Sequence, residues 1–322
     1  MNTLSDKFRL SLFGLPSITS LDDFSAATHL SKGLIYRLSK FGDNYYKTYE
    51  ISKKSGGKRN ISQPCSELKS LQGWINKNIL ERLSVSRACK GFEKQTTIRD
   101  NASPHIGSNA IMALDLEDFF PTIKINHVWS VFRTIGYSPR MSAILASICT
   151  YENVLPQGSP ASPKLSNLVT IKLDKRILGY VGKRGVIYTR YADDLTFSAY
   201  SPSRLIKIYP VVKSIIEDEG FTLNQLKTRF FGPNHQHKVT GLVVTDDEVG
   251  IGCKKMRCLR AKIHHLCNFH RDSPPIDQVN HLVGWLAFVN SIDKNRRISI
   301  DSYIKKAQVK YKDTAIELLP TL

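Results

Sequence analysis

Tyr188 to Ser198 reads YTRYADDLTFS: alternating apolar and polar residues run into two adjacent aspartates, and a second β-prone run leaves them. The pattern predicts a hairpin with its carboxylates at the tip. Two like charges on a stiff turn repel, so a proton or a cation must accompany them. An Asp-Asp pair alone is a weak signal, because the chain has two more. Asp22-Asp23 falls where a helix begins, and the helix dipole favours negative charge there. Asp246-Asp247 falls in VVTDDEVG, a turn between short strands where Asp bonds the local backbone.

What distinguishes Asp193-Asp194 is a second carboxylate far off in sequence. IMALDLEDFFP, from Ile111 to Pro121, is an apolar strand that ends at Asp115. A carboxylate at the end of a buried strand requires a partner or a cation. If the two β elements are neighbours in one sheet, Asp115 and Asp193 converge on the same hard cations. Mg²⁺ suits such a site, since it takes one or two carboxylates and completes its octahedron with water and phosphate oxygens. Two Mg²⁺ ions would stabilise the attacking and leaving oxygens of a phosphoryl displacement.

The rest of the chain agrees with an anionic partner. Its 322 residues carry 46 Lys and Arg against 28 Asp and Glu, a net charge of +18, and 41% of them are hydrophobic. That composition belongs to a globular protein with room for two or three subdomains, and the surplus of cations points to nucleic acid. No apolar run approaches the ~18 residues of a membrane span, and the opening MNTLSDKFRLSLFGLP lacks the parts of a signal peptide. A cytoplasmic protein without a membrane partner is expected. The six cysteines form no CxxC pair, so reduced thiols are the default. Cys253, Cys258, His264, His265, Cys267 and His270 cluster in sequence, but helical Cys and interfacial His explain them more simply than zinc does.

Residues 1 to about 50 read as short helices. YYKTYEISKKSGGKRNISQP, from Tyr45 to Pro64, reads as a hairpin with a cationic Gly-rich tip, followed by a helix capped by Ser66. Helices are expected near 126–150. LPQGSPASPKLSNLVTIKLDKRILGY, from Leu155 to Tyr180, reads as a proline-rich loop feeding one long amphipathic helix with Leu165, Leu168, Ile171, Leu173 and Ile177 on its apolar face. A helix near 203–219 and paired short strands to Gly252 follow. From Cys253 the chain is helical and basic, with 13 Lys and Arg against 6 Asp and Glu, a composition suited to gripping a phosphate backbone.

These motifs carry a resemblance. YADD (Tyr191–Asp194) resembles the YxDD motif of reverse transcriptases, DLEDFF (Asp115–Phe120) their first palm motif, LPQGSPASPKLSN (Leu155–Asn167) their substrate loop, and GFTLNQLKT (Gly220–Thr228) the following motif with its lysine. NASPH (Asn101–His105) and VTG (Val239–Gly241) are similar to two elements of bacterial retron reverse transcriptases, and AKIHH (Ala261–His265) to part of their thumb.

The resemblance implies an α+β right-hand polymerase fold with fingers, an antiparallel palm sheet and a small helical thumb. Residues 1–108 would be N-terminal helices and fingers, 109–252 the palm with an interleaved fingers segment at about 130–162, and 253–322 the basic thumb. It also implies roles. Asp115, Asp193 and Asp194 would hold two Mg²⁺ ions, Lys227 would protonate the departing pyrophosphate, and Tyr191 would meet primer or template. Lys53, Arg59, Phe120, Gln157 and Gly158 would line the dNTP site, with Phe120 rejecting a ribose 2′-hydroxyl. Asn101, His105, Val239, Thr240, Gly241, Lys262, His264 and His265 would recognise RNA.

The implied reaction is RNA-directed DNA synthesis on a structured noncoding RNA (msr-msd), primed from a guanosine 2′-hydroxyl and yielding branched msDNA. Defence against phage and a retron effector protein as partner are implied with it. Two rivals are a group II intron or diversity-generating reverse transcriptase, and an RNA-binding scaffold with an idle site. The chain carries no recognisable maturase, endonuclease or RNase H extension, which disfavours the intron type, and all three carboxylates are present, which disfavours the scaffold.

Overall fold

The computed structural model describes residues 8, 10–52 and 56–321. Cα proximity divides the chain into two units, the first spanning Met1–Thr96, Met112–Phe197 and Ser203–Phe230, the second Thr97–Ile111, Ser198–Pro202 and Phe231–Leu322. Among the described residues no helix is long and apolar enough to cross a membrane.

In the first unit the strands follow the alternation read from the sequence. β1 (Tyr46–Ser52) and β2 (Lys58–Pro64) form an antiparallel ribbon in the register Tyr46↔Pro64 to Ser52↔Lys58. The ribbon is solvated on both sides, with exposed residues at most positions. β3 (Ala110–Asp115) is buried along nearly its whole length, as its continuous apolar run requires. It lies between β5 (Asp194–Ala199) and β6 (Arg229–Phe231), and β4 (Ile187–Tyr191) pairs on the far side of β5. The carboxylate hairpin is thus β4–β5, beside the strand that ends at Asp115.

Two helical expectations need correction. The cap of the helix Ser66–Asn78 is Cys65, which makes no side-chain cap bond, and Ser66 is its first residue. The single helix expected after the proline-rich loop is two, Ser162–Val169 and Ile171–Gly182. Thr170 sits between them, and its hydroxyl donates back to the carbonyls of Ser166 and Asn167 at 2.8 and 3.2 Å. Such back-bonding competes with the helical ladder. Leu165, Leu168, Leu173 and Ile177 are buried as expected, whereas Ile171, at the break, is only half-buried.

The second unit has its own core of Ala102, Ile111, Val239, Leu242, Val244, Val249 and Ile251 together with apolar residues of three helices. β7 (His237–Val239), β8 (Leu242–Val244) and β9 (Val249–Gly250) pair antiparallel. Thr240 and Gly241, both at positive φ, make the two-residue turn between β7 and β8, a geometry that matches strand twist. The helices are Cys253–His265, Ile276–Ile292 and Lys294–Lys310. Helix Ile276–Ile292 buries Val279, Leu282, Leu286, Val289 and Ile292, a helical stripe facing that core.

Candidate active site

The sheet order brings the end of β3 beside the β4–β5 turn. The amide of Leu116 donates to the Asp193 carbonyl at 3.0 Å, so the strand that ends at Asp115 is stitched to the carboxylate turn. On its other edge, the amide of Asn224 donates to the Asp115 carbonyl at 2.8 Å and that of Glu117 to the Thr222 carbonyl at 2.8 Å. A turn at 224–228 then aims Lys227 inward: its Nζ stands 2.9 Å from both Oδ1 and Oδ2 of Asp115. Asp115, the Asp193-Asp194 pair and Lys227 are therefore brought near one another from three separate stretches of chain.

Electrostatics follow from that crowding. The Asp193 carboxyl is raised above its ordinary pKa, first by loss of water around it, then by the charge of Asp115, with Lys227 and Arg59 pulling the other way. Asp194 is raised to about 6, again first by loss of water and then by Asp193 and Asp115. Its surface remains open to solvent, so neighbouring atoms crowd its carboxyl without sealing it. Lys227 is held charged, its pKa raised by the hydrogen bond to Asp115. Loss of water and the repulsion between carboxylates both favour the neutral acids, and the ammonium on both oxygens of Asp115 offsets part of that.

As the side chains stand, no three His, Cys, Asp or Glu groups among the described residues converge into a metal-binding cluster. Cys253 and Cys258 are exposed and Cys267 half-buried. The aspartates nonetheless fit a hard divalent cation by donor chemistry: Asp115 already attracts an ammonium, and Asp193 and Asp194 lie near enough to feel the charge of both. Asp115, Asp193 and Asp194 would hold it.

The nucleotide-site candidates lie around this centre. Lys53 lies outside the described residues. Arg59 is exposed on β2 opposite Ile51. The Gln157 carbonyl accepts from the Ser62 amide at 2.8 Å, which docks the substrate loop on the ribbon. Gly158 makes that approach feasible: at φ +136°, a Cβ there would lie 2.6 Å from the Ser62 carbonyl oxygen. Phe120 and Tyr191 are half-buried. Between them stands Phe92, with ring centroids 6.2 and 6.5 Å away. Phe92 is 43% exposed and at φ 62°, and sequence reading missed it, since its neighbours KGFEKQ show no periodicity.

The candidates for RNA recognition fall in two sets, both in the second unit. Asn101 and His105 are wholly buried and Val239 nearly so. Asn101 Nδ2 reaches Thr240 Oγ1 at 3.5 Å, and the Thr240 hydroxyl donates to the Ile98 carbonyl at 3.3 Å. His105 Nδ1 pairs with Ser198 Oγ at 2.7 Å, and burial pushes its pKa down to about 4. Asn101 and Thr240 brace each other and Ser198 holds His105, and the three buried side chains have no surface for direct contact with RNA. Lys262, His264 and His265 are exposed on one helix. His264 Nδ1 lies 3.2 Å from the Tyr303 hydroxyl, and its ring packs edge-on to Tyr311.

Comparison with known proteins agrees with this geometry. Residues 51–244 match the family model described as Reverse transcriptase (RNA-dependent DNA polymerase). The chain is 47% identical over 306 residues to the Retron Ec86 reverse transcriptase of Escherichia coli, covering 94% of each protein. It is 31% identical to the Retron Mx65 reverse transcriptase of Myxococcus xanthus, over 90% of this chain and 72% of that one. With the Retron Mx162 reverse transcriptase of the same organism identity is 34%, over 77% of this chain and 58% of that one. A family model spanning more than half of the chain, and a relative near one-half identity across almost all of it, identify the protein: it belongs to the retron reverse transcriptases and is an RNA-directed DNA polymerase.

Proposed function

We propose that this polymerase copies part of its own structured noncoding RNA, starting from the 2′-hydroxyl of a guanosine in that RNA and leaving a branched msDNA, in the service of antiphage defence. The observation that carries the chemistry is the meeting of Asp115, Asp193 and Asp194 with a lysine ammonium on Asp115. The similarity to the retron relatives supports the choice of template.

In this reading residues 1–108 serve as fingers, 109–252 as palm and 253–322 as thumb. Asp115 and Asp193 hold the divalent ions and Asp194 supports them. Two Mg²⁺ ions, when bound, supply the positive charge that an in-line phosphoryl transfer develops a need for. Lys227, held charged beside Asp115, carries at Nζ the proton that the departing pyrophosphate would take. Phe120, with Phe92 behind it, crowds the sugar of the incoming dNTP, while Gln157 shapes the pocket and Arg59 draws in the triphosphate. Lys262, His264 and His265 face the RNA; Asn101, His105, Val239, Thr240 and Gly241 act by bracing the surface that meets it. A cytoplasmic location and an effector protein partner complete the proposal.

The test is to express the protein with its native upstream DNA and compare wild type with Asp193→Asn. A DNase-sensitive band that shifts on debranching and is absent from the variant, while RNA still copurifies with both, is the expected result. Bound RNA without DNA in the wild type, with dNTPs and Mg²⁺ present, would overturn self-primed synthesis.

A further inference from the structure

Arg190 lies in the β4 strand two residues before the Ala192–Asp193 turn, and in an alternating strand it reads as a polar face. It is instead completely buried. Its Nε and Nη2 donate to the two oxygens of Asp174 at 2.9 and 2.8 Å. Asp174 is equally buried and also accepts from the Tyr188 hydroxyl at 2.8 Å. The remaining nitrogen, Nη1, is shared between Asn167 Oδ1 and the carbonyl oxygen of Ala192, each at 3.1 Å. Asn167 in turn donates to the Gly91 carbonyl at 2.8 Å and to Glu93 Oε1 at 2.9 Å, and Lys164 donates to Glu93 Oε2 at 2.6 Å.

A buried ion pair is a poor source of stability, because packed apolar side chains in its place often serve as well or better. Its geometric product is more telling. Ala192 sits at φ 58°, a left-handed conformation that a residue with a Cβ adopts reluctantly and that persists only where surroundings over-determine it. Two of those surroundings are visible. Arg190 holds the Ala192 carbonyl, and Gly91 presses on the Ala192 amide so closely that a Cβ on Gly91 would lie 2.7 Å from that nitrogen. At the next peptide, Leu116 N holds the Asp193 carbonyl. The two peptides that flank Asp193 are thus each held, the one before it by the guanidinium and the one after it by the end of the strand that carries Asp115.

We propose that Arg190, oriented by Asp174 and Asn167, is a positioning residue for polymerisation: its buried guanidinium fixes the peptide before Asp193 and so sets where the Asp193 carboxylate stands relative to Asp115. Asn167 and Lys164 belong to the helix that follows the Gln157-Gly158 loop, so the same network ties the nucleotide loop to the metal-binding turn. The inference rests on Asp193 as a metal ligand, and the experiment separates the two.

The triple variant Tyr188→Phe/Asp174→Leu/Arg190→Met replaces the pair and its phenol with apolar groups. On a supplied primer–template, kcat falls by at least ~20-fold, since small misplacements at a reacting centre cost up to ~10²-fold. The Mg²⁺ concentration for half-maximal rate rises several-fold while the dNTP KM stays near wild type, and the protein remains folded by circular dichroism and thermal unfolding. Arg190→Lys provides a second reading if the triple variant does not fold: it keeps a charge beside Asp174 but cannot serve Asn167 and Ala192 together, and the same direction is expected. Wild-type kcat and Mg²⁺ dependence in either folded variant would overturn the positioning role. Asp193→Asn runs in parallel. If it still extends primer, the site assignment itself fails; if it is inactive while the folded triple variant keeps wild-type kcat and Mg²⁺ dependence, the positioning inference alone fails.

Discussion

Phe120 shows how one residue can be legible in type and opaque in setting. Its place after the first acidic motif marks it for the sugar gate, but only the structure reveals Phe92 beside it. Shortening Phe120 to Ala opens that side of the pocket. Phe120→Ala is expected to raise rNTP incorporation relative to dNTP by roughly tenfold or more, a steric discrimination of a few kcal/mol at most. Single-nucleotide extension with matched rNTP and dNTP measures it, and an unchanged ratio removes Phe120 from the gate. The carboxylates were readable because strand endings and an acidic turn need a cation whatever the fold. Arg190 was not, because strand alternation assigns a side but cannot say whether that side faces water, and its partners Asp174 and Asn167 are distant polar residues of ordinary helices. The Lys227 contact with Asp115 was hidden for the same reason, since the two lie 112 positions apart.

At the scale of elements, the β4–β5 hairpin followed from period-two patterning, β3 from its continuous apolar run, and the β1–β2 pairing from its Gly-rich tip. The misread elements depended on competition at single positions: a Thr170 hydroxyl that bonds backward splits a helix whose apolar spacing is continuous, and Cys65 takes the cap position beside a better capping residue. The contact between loop and ribbon was half legible, as glycine after Gln157 signals close approach without naming what approaches. Gly158→Ala puts a Cβ 2.6 Å from the Ser62 carbonyl at a backbone angle of +136°, a strain of about 2 kcal/mol or more. The loop must move to relieve it. A several-fold rise in dNTP KM, with a smaller change in RNA affinity, is expected in steady-state extension. Unchanged KM would show that the ribbon contact does not shape the pocket.

On the scale of the whole molecule, the +18 charge and the second unit's acid response are the measurable traits. Lys254, Arg257 and Lys262 are exposed on one helix. Replacing all three with Gln is expected to flatten the plot of log affinity for RNA against log salt by about 2 to 3, one counterion or slightly less per phosphate contact. An unchanged slope would place the RNA on another face. His105 sets the acid limit. Its folded pKa is about 4 against an ordinary 6.5, so between those values the unfolded chain binds a proton that the folded unit refuses. Stability therefore falls as pH drops from about 6.5 toward 4, by on the order of 3 kcal/mol in all. Urea unfolding at pH 7 and pH 4.5 measures the loss, and His105→Gln is expected to shrink that difference; a wild-type difference in the variant would exonerate His105. The β1–β2 ribbon has a wider consequence. With most of its residues in water, it owes little of its order to its own burial, and its Ser62 amide is spent on Gln157. Under the proposed function, a triphosphate drawn to Arg59 and a base beside Gln157 would therefore report to one ribbon, joined to the loop through the Ser62 amide.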